Sequence, residues 1–485
     1  MLNADLLWQL LDYLYILNIL IAIGIIFYER RNPTVTLTWL LVLFLMPVLG
    51  LVLYLFLGQD LRKKKLFYLK KEEEESFFPK LEQQDKYLHN NQMLFLNPRS
   101  SEYRDIIHLH LNSSQSLFSQ NNKVDIFNDG QELFQAMSAS IQRAKKYIHL
   151  EYYIIQNDAT GRSLRDILSR KAAEGVEVRL LYDGMGCIRL PRRFFQPLLQ
   201  AGGEVASFLP PFFPFVNLRM NYRNHRKICI IDGEEGYIGG FNIGDEYLGL
   251  SKEFGYWRDT HLRIRGTALD GLHLRFLLDW RYACNHDFQM REDFFPQRAP
   301  QGNTGVQIVS SGPDSKWSSI KDGFLKMIGS ARQNIYIQTP YFIPDESILA
   351  ALKIAALSGL DVRLMIPGKA DHLIVHWANL SYVGELLEAG VRCYAYSEER
   401  FLHSKVMMID GYASTVGTSN MDIRSFHLNF EVNAFIYDER VSRNLQAAFF
   451  RDIQNSQEIT MQIYRARPVY ARMKEAVSRL LSPLL

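Results

Sequence analysis

Three regimes of apolar and polar positions follow one another along this chain, and each predicts a different kind of element. Residues 6–27 are almost wholly apolar, interrupted at Gln9, Asp12 and Asn18, and residues 37–57 carry no charge. At 1.5 Å per residue either run reaches about 30 Å as a helix, the depth of a bilayer core. Together they predict a two-helix transmembrane hairpin over 1–60, turning at Glu29-Arg30-Arg31-Asn32-Pro33. Pro47 predicts a kink in the second helix, or a re-entrant course. A cleaved signal peptide fits the first run poorly: there is no basic start, Asp5 and Asp12 are present, and the run is longer than a signal core. Arg62, Lys63, Lys64 and Lys65 follow the second run, with Lys70 and Lys71 close behind, against Arg30 and Arg31 in the turn. That excess places the large remainder on the cytoplasmic side of a cell membrane.

Residues 61–122 are polar and charged, including four glutamates at 72–75, and predict a tether with some local helix. Beyond it, helical and strand-like periods alternate, and they do so twice. Residues 129–146 have helical spacing through Leu133, Phe134, Met137 and Ile141, and a strand-like run follows at 147–155. The later half repeats this with a helix ending near Ala331 and a strand-like run at 335–343. Residues 172–180 and 355–364 then each read as a helix closed by glycine and followed by a buried strand. The alternation predicts an α/β fold with helices covering a largely buried sheet. The duplication predicts two fused repeats, 123–300 and 301–485, related by a pseudo-two-fold. At the end of the second, Met473, Ala476, Val477, Leu480 and Leu481 form one apolar stripe with Arg472, Lys474 and Arg479 outside it. An interfacial helix and a helix packed on the body share that pattern.

The repeated halves each carry H-x-K-x₄-D-x₆-G-x₂-N. The first copy is His225, Lys227, Asp232, Gly239 and Asn242; the second is His403, Lys405, Asp410, Gly417 and Asn420. A histidine and a lysine two apart on a strand share a face, so each half presents an imidazole beside a fixed cation. Two such pairs can cleave a phosphodiester, one histidine attacking phosphorus and the other protonating the leaving alcohol. The lysines would balance the nonbridging oxygens, and the asparagine amides can donate to them. Gly239-Gly240 and Gly417-Thr418 would allow close backbone approach to a phosphate. Asp259 and Glu431, at parallel places in the two halves, are expected to orient the imidazoles.

Composition narrows the class. Lys and Arg number 55 against 52 Asp and Glu, a formal net charge of +3, too weak a basic excess for a dedicated nucleic-acid binder. Cys187, Cys229, Cys284 and Cys393 are scattered without metal-ligand or disulfide spacing, as expected of buried thiols in a reducing compartment. No metal and no cofactor is implied, since no HExxH and no carboxylate cluster at ligand spacing occurs. An aromatic stretch at 208–215, Phe208-Leu209-Pro210-Pro211-Phe212-Phe213-Pro214-Phe215, precedes the first motif and is expected to touch lipid, with a buried loop covering the sheet end as the alternative. Arg219, Arg223 and Arg226 beside it could draw anionic head groups.

At the paired motifs the chain resembles the phospholipase D superfamily. Across its length, from the 29–33 turn and Trp39-Leu40-Leu41-Val42 to Ser482-Pro483-Leu484-Leu485, it is similar to the bacterial cardiolipin synthases of that superfamily. The resemblance implies that His225 and His403 are catalytic, that Lys227, Lys405, Asn242 and Asn420 hold phosphate, and that Asp232 and Asp410 are supportive. It favours His225 as nucleophile and His403 as general acid and base. It implies transfer of a phosphatidyl group between two phosphatidylglycerol molecules with release of glycerol, in a membrane-embedded enzyme whose partners are membrane lipids and not nucleic acid. A hydrolytic phospholipase D, or transfer to another alcohol, is the alternative. Oligomeric state stays open.

Overall fold

The apolar strands that follow each histidine lie side by side with their neighbours in one mixed sheet. The computed structural model describes residues 4–24, 33–57, 66–210, 221–284 and 288–482. From the centre outward the first half runs Ser119–Phe127, His261–Arg265, Glu235–Gly239, Lys227–Ile231, Tyr147–Tyr152, Glu177–Asp183 and Glu204–Phe208. The second half runs Thr304–Ser311, Asn429–Tyr437, Ala413–Gly417, Val406–Ile409, Asn334–Gln338, Asp361–Pro367 and Arg392–Tyr396, with an added edge strand Ser456–Ile459. The order is the same in both, so a pseudo-two-fold passes between the innermost strands. Those two pair antiparallel, Ser119 opposite Val306 and Asn122 opposite Thr304.

Lys227–Ile231 and Val406–Ile409 are buried at every position, because helices cover both faces of the sheet. On one face the helices Leu269–Cys284 and Glu439–Ile453 share a core spanning both halves, through Phe276, Trp280, Leu445 and Phe449. On the other, Gly130–Arg143 and Ala159–Ala173 cover the first half, while Ser319–Ser330, Glu346–Leu357 and Leu373–Glu388 cover the second.

Each motif aspartate sits where its strand turns, beyond a strand of five residues in the first half and four in the second, about 23 Å along the extended chain from its histidine. Asp232 and Asp410 both have φ of 52°, and Gly233 and Gly411 after them are also left-handed, at 69° and 63°. This is the Asp-Gly hairpin signal. The Asp232 carboxylate accepts from the backbone N–H groups of Lys145, Lys146 and Tyr147 at 2.8, 2.8 and 3.0 Å. Asp410 accepts from Arg332, Gln333 and Asn334 at 2.8, 2.8 and 3.1 Å. They tie the hairpin to the start of the adjacent strand.

Residues 71–114, expected as a tether, are folded onto the second half. The helices Lys71–His89 and Arg104–Ser114 bury Leu81, Leu88, Ile106, Ile107 and Leu111 against Ile320, Phe324 and Met327. The side-chain amide of Gln84 pairs with both the N–H and the C=O of Phe118 at 2.8 and 2.9 Å. Glu73, from the glutamate block, is bound by Arg281. Glu72 and Glu75 stay exposed, so the charged run is the solvated face of a packed helix with Glu73 turned inward.

The amino-terminal runs also depart from expectation. The first is a helix, Ala4–Gly24; the second breaks into Pro33–Leu45 and Pro47–Leu57. These 13- and 11-residue pieces span only about 20 and 17 Å. Among the described residues no helix is both long and apolar enough to cross a membrane. Pro47 has no N–H for the carbonyl of Leu43, and the Asn18 amide supplies the missing donor, at 3.3 Å to Leu43 O and 3.1 Å to Pro47 O. A Cβ on Gly50 would come within 2.5 Å of Val42 O, so the two pieces fold closely together. The charged turn at 29–32 and Arg62 to Lys65, on which orientation was read, lie outside the described residues.

The carboxyl-terminal helix Val469–Leu480 packs on Leu373–Glu388 with its polar side, burying Ala471, Glu475 and Ser478. Its apolar stripe faces outward: Met473 is 64 % exposed, Val477 61 % and Leu480 81 %.

If the motif aspartates are hairpin anchors, Asp232→Ala should destabilise the fold by about 2 kcal/mol, read by thermal denaturation. Asp232→Asn, which tolerates left-handed φ and keeps one acceptor, should cost less. Equal losses in the two variants would speak against the amide-anchoring account.

Candidate active site

Each histidine approaches the opposite half on a two-residue strand. Arg223–Asn224 pairs in parallel with Asn429–Phe430, and Phe401–Leu402 pairs in parallel with Trp257–Arg258. The backbone N–H of His225 donates to Phe430 O at 3.0 Å, and that of His403 to Arg258 O at 2.7 Å. The next residue on each partner strand is an acid, so the carboxylates cross over. Glu431 of the second half lies 3.0 Å from His225 Nδ1 through both oxygens. Asp259 of the first half lies 2.6 Å from His403 Nδ1. A carboxylate at Nδ1 holds the proton there and leaves Nε2 as the nitrogen with a lone pair.

Both acids are completely buried. Glu431 also accepts from Thr418 Oγ1 at 2.5 Å and Asn429 Nδ2 at 3.1 Å. Asp259 accepts from Thr260 N at 2.7 Å. A Cβ on Gly240 would fall 2.0 Å from Asp259 Oδ1, so glycine is required there to admit the acid. Gly239 and Gly417 make room for His261 and Asn433 of the adjacent strands. The expectation that these glycines serve a bound phosphate is therefore corrected: close packing of sheet and carboxylate fills their space.

Lys227 Nζ donates to His225 O at 2.7 Å and Lys405 Nζ to His403 O at 2.5 Å, each lysine curling back toward its own histidine. Asn242 Oδ1 accepts from Ile154 N at 3.2 Å, which fixes that amide. Both histidines and both asparagines line one cavity of about 470 Å³ between the halves, together with Tyr153, Arg223, Tyr341 and Arg424. Asp232 and Asp410 are not brought to it. Their grouping with the catalytic residues is corrected by their place at the far turns.

Residues 137–261 and 324–453 match a family model described as cardiolipin synthase, phospholipase D-like domain, and residues 16–59 match one described as phospholipase D-nuclease N-terminal. The chain is 49% identical to the major cardiolipin synthase of Bacillus subtilis over 98% of this chain and 99% of that one. It is 48% identical to a cardiolipin synthase of Oceanobacillus iheyensis over 98% of this chain and 99% of that one. The chain belongs to the phospholipase D-like cardiolipin synthase family. Its fold is also similar to the crystal structure of phosphatidylserine synthase from Haemophilus influenzae, with a TM-score of 0.60 at 14% identity, covering 79% of this chain and 100% of that one.

Within this family frame, several expectations about the rim change. Arg226, expected to face head groups, is buried behind the site and bound by both oxygens of Asp279 at 2.8 and 2.7 Å. Phe208 packs inside against Phe67, Tyr282 and Phe430 rather than at a lipid surface. Residues 211–215 and Arg219 lie outside the described residues. Sequence reasoning missed Tyr153, whose ring meets His225 edge-on at 4.9 Å, and the hydrogen-bonded Tyr341–Asp371 pair. Neither belongs to a motif. Arg424 was legible only by aligning the repeats four residues past each motif asparagine.

Burial dominates the electrostatics. It pushes both imidazoles down to about 4, against the upward pull of Glu431 and Asp259. It lowers Lys227 to about 7 and Lys405 to about 8, partly offset by the same acids. Burial alone would raise the two carboxyls, but the cations around them prevail and both stay below the usual carboxylate range. An unfolded histidine titrates near 6.5, so between that pH and about 4 the unfolded chain holds more protons. Stability should therefore fall as pH drops through this window. Histidine NMR titration should find both imidazoles neutral at pH 6, and added phosphate should raise a site pKa. Titration of His225 and His403 near 6.5 without ligand would count against the buried, cation-flanked site.

Proposed function

We propose that this protein is a membrane cardiolipin synthase that joins two phosphatidylglycerol molecules and releases glycerol. The observation that carries the reading is the cavity in which two imidazoles, each backed by an acid of the opposite repeat, meet the two motif asparagines. His225 attacks the donor phosphorus, and the bond to the glycerol oxygen breaks as His403 delivers a proton to it. The phosphatidyl group rests on His225. The terminal hydroxyl of the second lipid then gives its proton to His403 and forms the new P–O bond as the P–N bond breaks. Lys227 and Lys405 balance the charge on the nonbridging oxygens, while Asp259 and Glu431 orient the imidazoles. The high identity to curated cardiolipin synthases over nearly the whole chain supports the choice of donor and acceptor.

With phosphatidylglycerol as sole lipid, the protein should produce cardiolipin and glycerol in equal amounts, measured by mass spectrometry. Phosphatidic acid without cardiolipin would instead make it a hydrolytic phospholipase D. His225→Ala and His403→Ala should each reduce transfer by roughly a thousandfold or more. Label from a radioactive donor should be trapped on His225; label on His403 would reverse the two roles.

The membrane reading draws support from exposed apolar surface, while placing the catalytic body on the cytoplasmic face rests on the basic residues that follow the second apolar run. The amino-terminal helices expose Leu20, Leu41, Phe44 and Leu45. The outward stripe of Val469–Leu480 runs alongside Leu373–Glu388, whose exposed Leu373 and Ile374 adjoin the cavity residues His372 and Val375. That arrangement would set the cavity mouth against a lipid surface. A fluorophore on Met473→Cys in the reconstituted full chain should be quenched by brominated acyl chains. An unquenched label would place this face in water.

A further inference from the structure

The reaction centre is near-symmetric under the pseudo-two-fold, but its rim is not, and the difference is one of charge. The strand pairings set Arg223 of one half in the place that Phe401 holds in the other, each two residues before its histidine. Counting from the motif asparagines, Arg424 stands where the first half has Glu246. Both arginines therefore replace non-basic counterparts, and both line the cavity that contains the histidines.

The two arginines also belong to one end of it. Arg424 donates to Asn221 O at 2.7 Å and Asn221 Oδ1 at 3.0 Å, which fixes it to the segment leading into Arg223. Its guanidinium is held below the usual range by burial and then by the charge of Arg223. Two cations are thus kept close in a largely enclosed place, an arrangement that an incoming anion relieves. The acids facing them are engaged by backbone amides. Asp183 accepts from Asn224 N at 2.7 Å, Met185 N at 2.9 Å and Gly186 N at 2.7 Å, and Asp422 accepts from Ser425 N at 2.5 Å. The cavity lining also carries Glu246 and Asp371, which would repel a phosphate placed beside them.

We propose that Arg223 and Arg424 form a second phosphate subsite, which holds the phosphodiester of the acceptor lipid while its glycerol hydroxyl reaches the phosphohistidine. This rests on the cardiolipin synthase reading and specifies how the acceptor is chosen. Residues two apart on an extended strand share a face and lie about 7 Å apart, so Arg223 stands a glycerol's length from His225. Free glycerol and water carry no phosphate and gain nothing from the pair. A phospholipid acceptor gains charge-assisted, forked hydrogen bonds.

The test compares two acceptors for one donor. Full-length protein in phosphatidylglycerol vesicles is given labelled glycerol, and label entering phosphatidylglycerol is measured beside cardiolipin formation. Wild-type cardiolipin formation is scored first, so a failure of the underlying function is seen separately. In Arg223→Gln and in Arg424→Gln, the ratio of cardiolipin formation to glycerol exchange should fall roughly tenfold, about the worth of one charge-assisted contact. Arg424→Lys, which keeps the charge, should recover part of that ratio and covers the case in which glutamine at this tethered position unfolds the loop. An unchanged ratio in Arg223→Gln, whether both activities persist or fall together, would overturn the proposal.

Discussion

The crossed pairing of His225 with Glu431 and His403 with Asp259 is the constraint on which the site depends. A fully buried carboxylate costs several kcal/mol unless it is paired and hydrogen-bonded, and here each acid meets its histidine across the repeats, in the half to which it does not belong. Neither half can complete its own imidazole. The continuous sheet, the central antiparallel strands and the core under Leu269–Cys284 and Glu439–Ile453 all hold the halves in the one register that brings these atoms together. Gly240 and Thr418 adapt each side to its acid, the glycine by leaving room for the Asp259 carboxylate and the threonine by donating to Glu431.

The same burial sets the protonation balance. With both imidazoles neutral and both lysines charged, the two cations and the two carboxylates cancel at the centre, and Lys227, lowered to about 7, holds its proton least firmly of the two lysines. A phosphodiester brings one negative charge into that balanced, low-dielectric space, and uptake of one proton restores it. A proton taken up on the imidazole that is not the nucleophile puts that imidazole in the state a general acid needs. Substrate binding and arming of the acid are then one electrostatic event.

Much of this was legible in the sequence, and the exceptions share a cause. The repeats, the alternation of helix and strand, and the residues of both motifs stand at fixed spacings, which a linear pattern can display. What a pattern cannot display is which partner a charged or polar group meets. Asp232 and Asp410 stand in the motif, yet they bind backbone amides at distant turns. The charges at 72–75 looked like a solvated tether, yet Glu73 meets Arg281. Asn18 looked like a flaw in an apolar helix, and it supplies the donor that Pro47 lacks. Arg226 looked like a head-group contact, and Asp279 holds it inside.

The duplication explains both the symmetry and where it ends. Leaving group and incoming nucleophile are both primary alcohols of glycerol, so the chemistry runs through equivalent steps in either direction, and a symmetric pair of histidines suits it. The substrates are not equivalent, because only the acceptor brings a second phosphate beyond its hydroxyl. A discriminating contact must then lie off the two-fold, within a glycerol's length of the centre. Divergence between the repeats has that distribution here: the motif residues are kept in both halves, and the charge difference falls at 223 against 401 and 424 against 246. Specificity of this kind needs no change at the reacting atoms, only a cation on one side that the other side lacks.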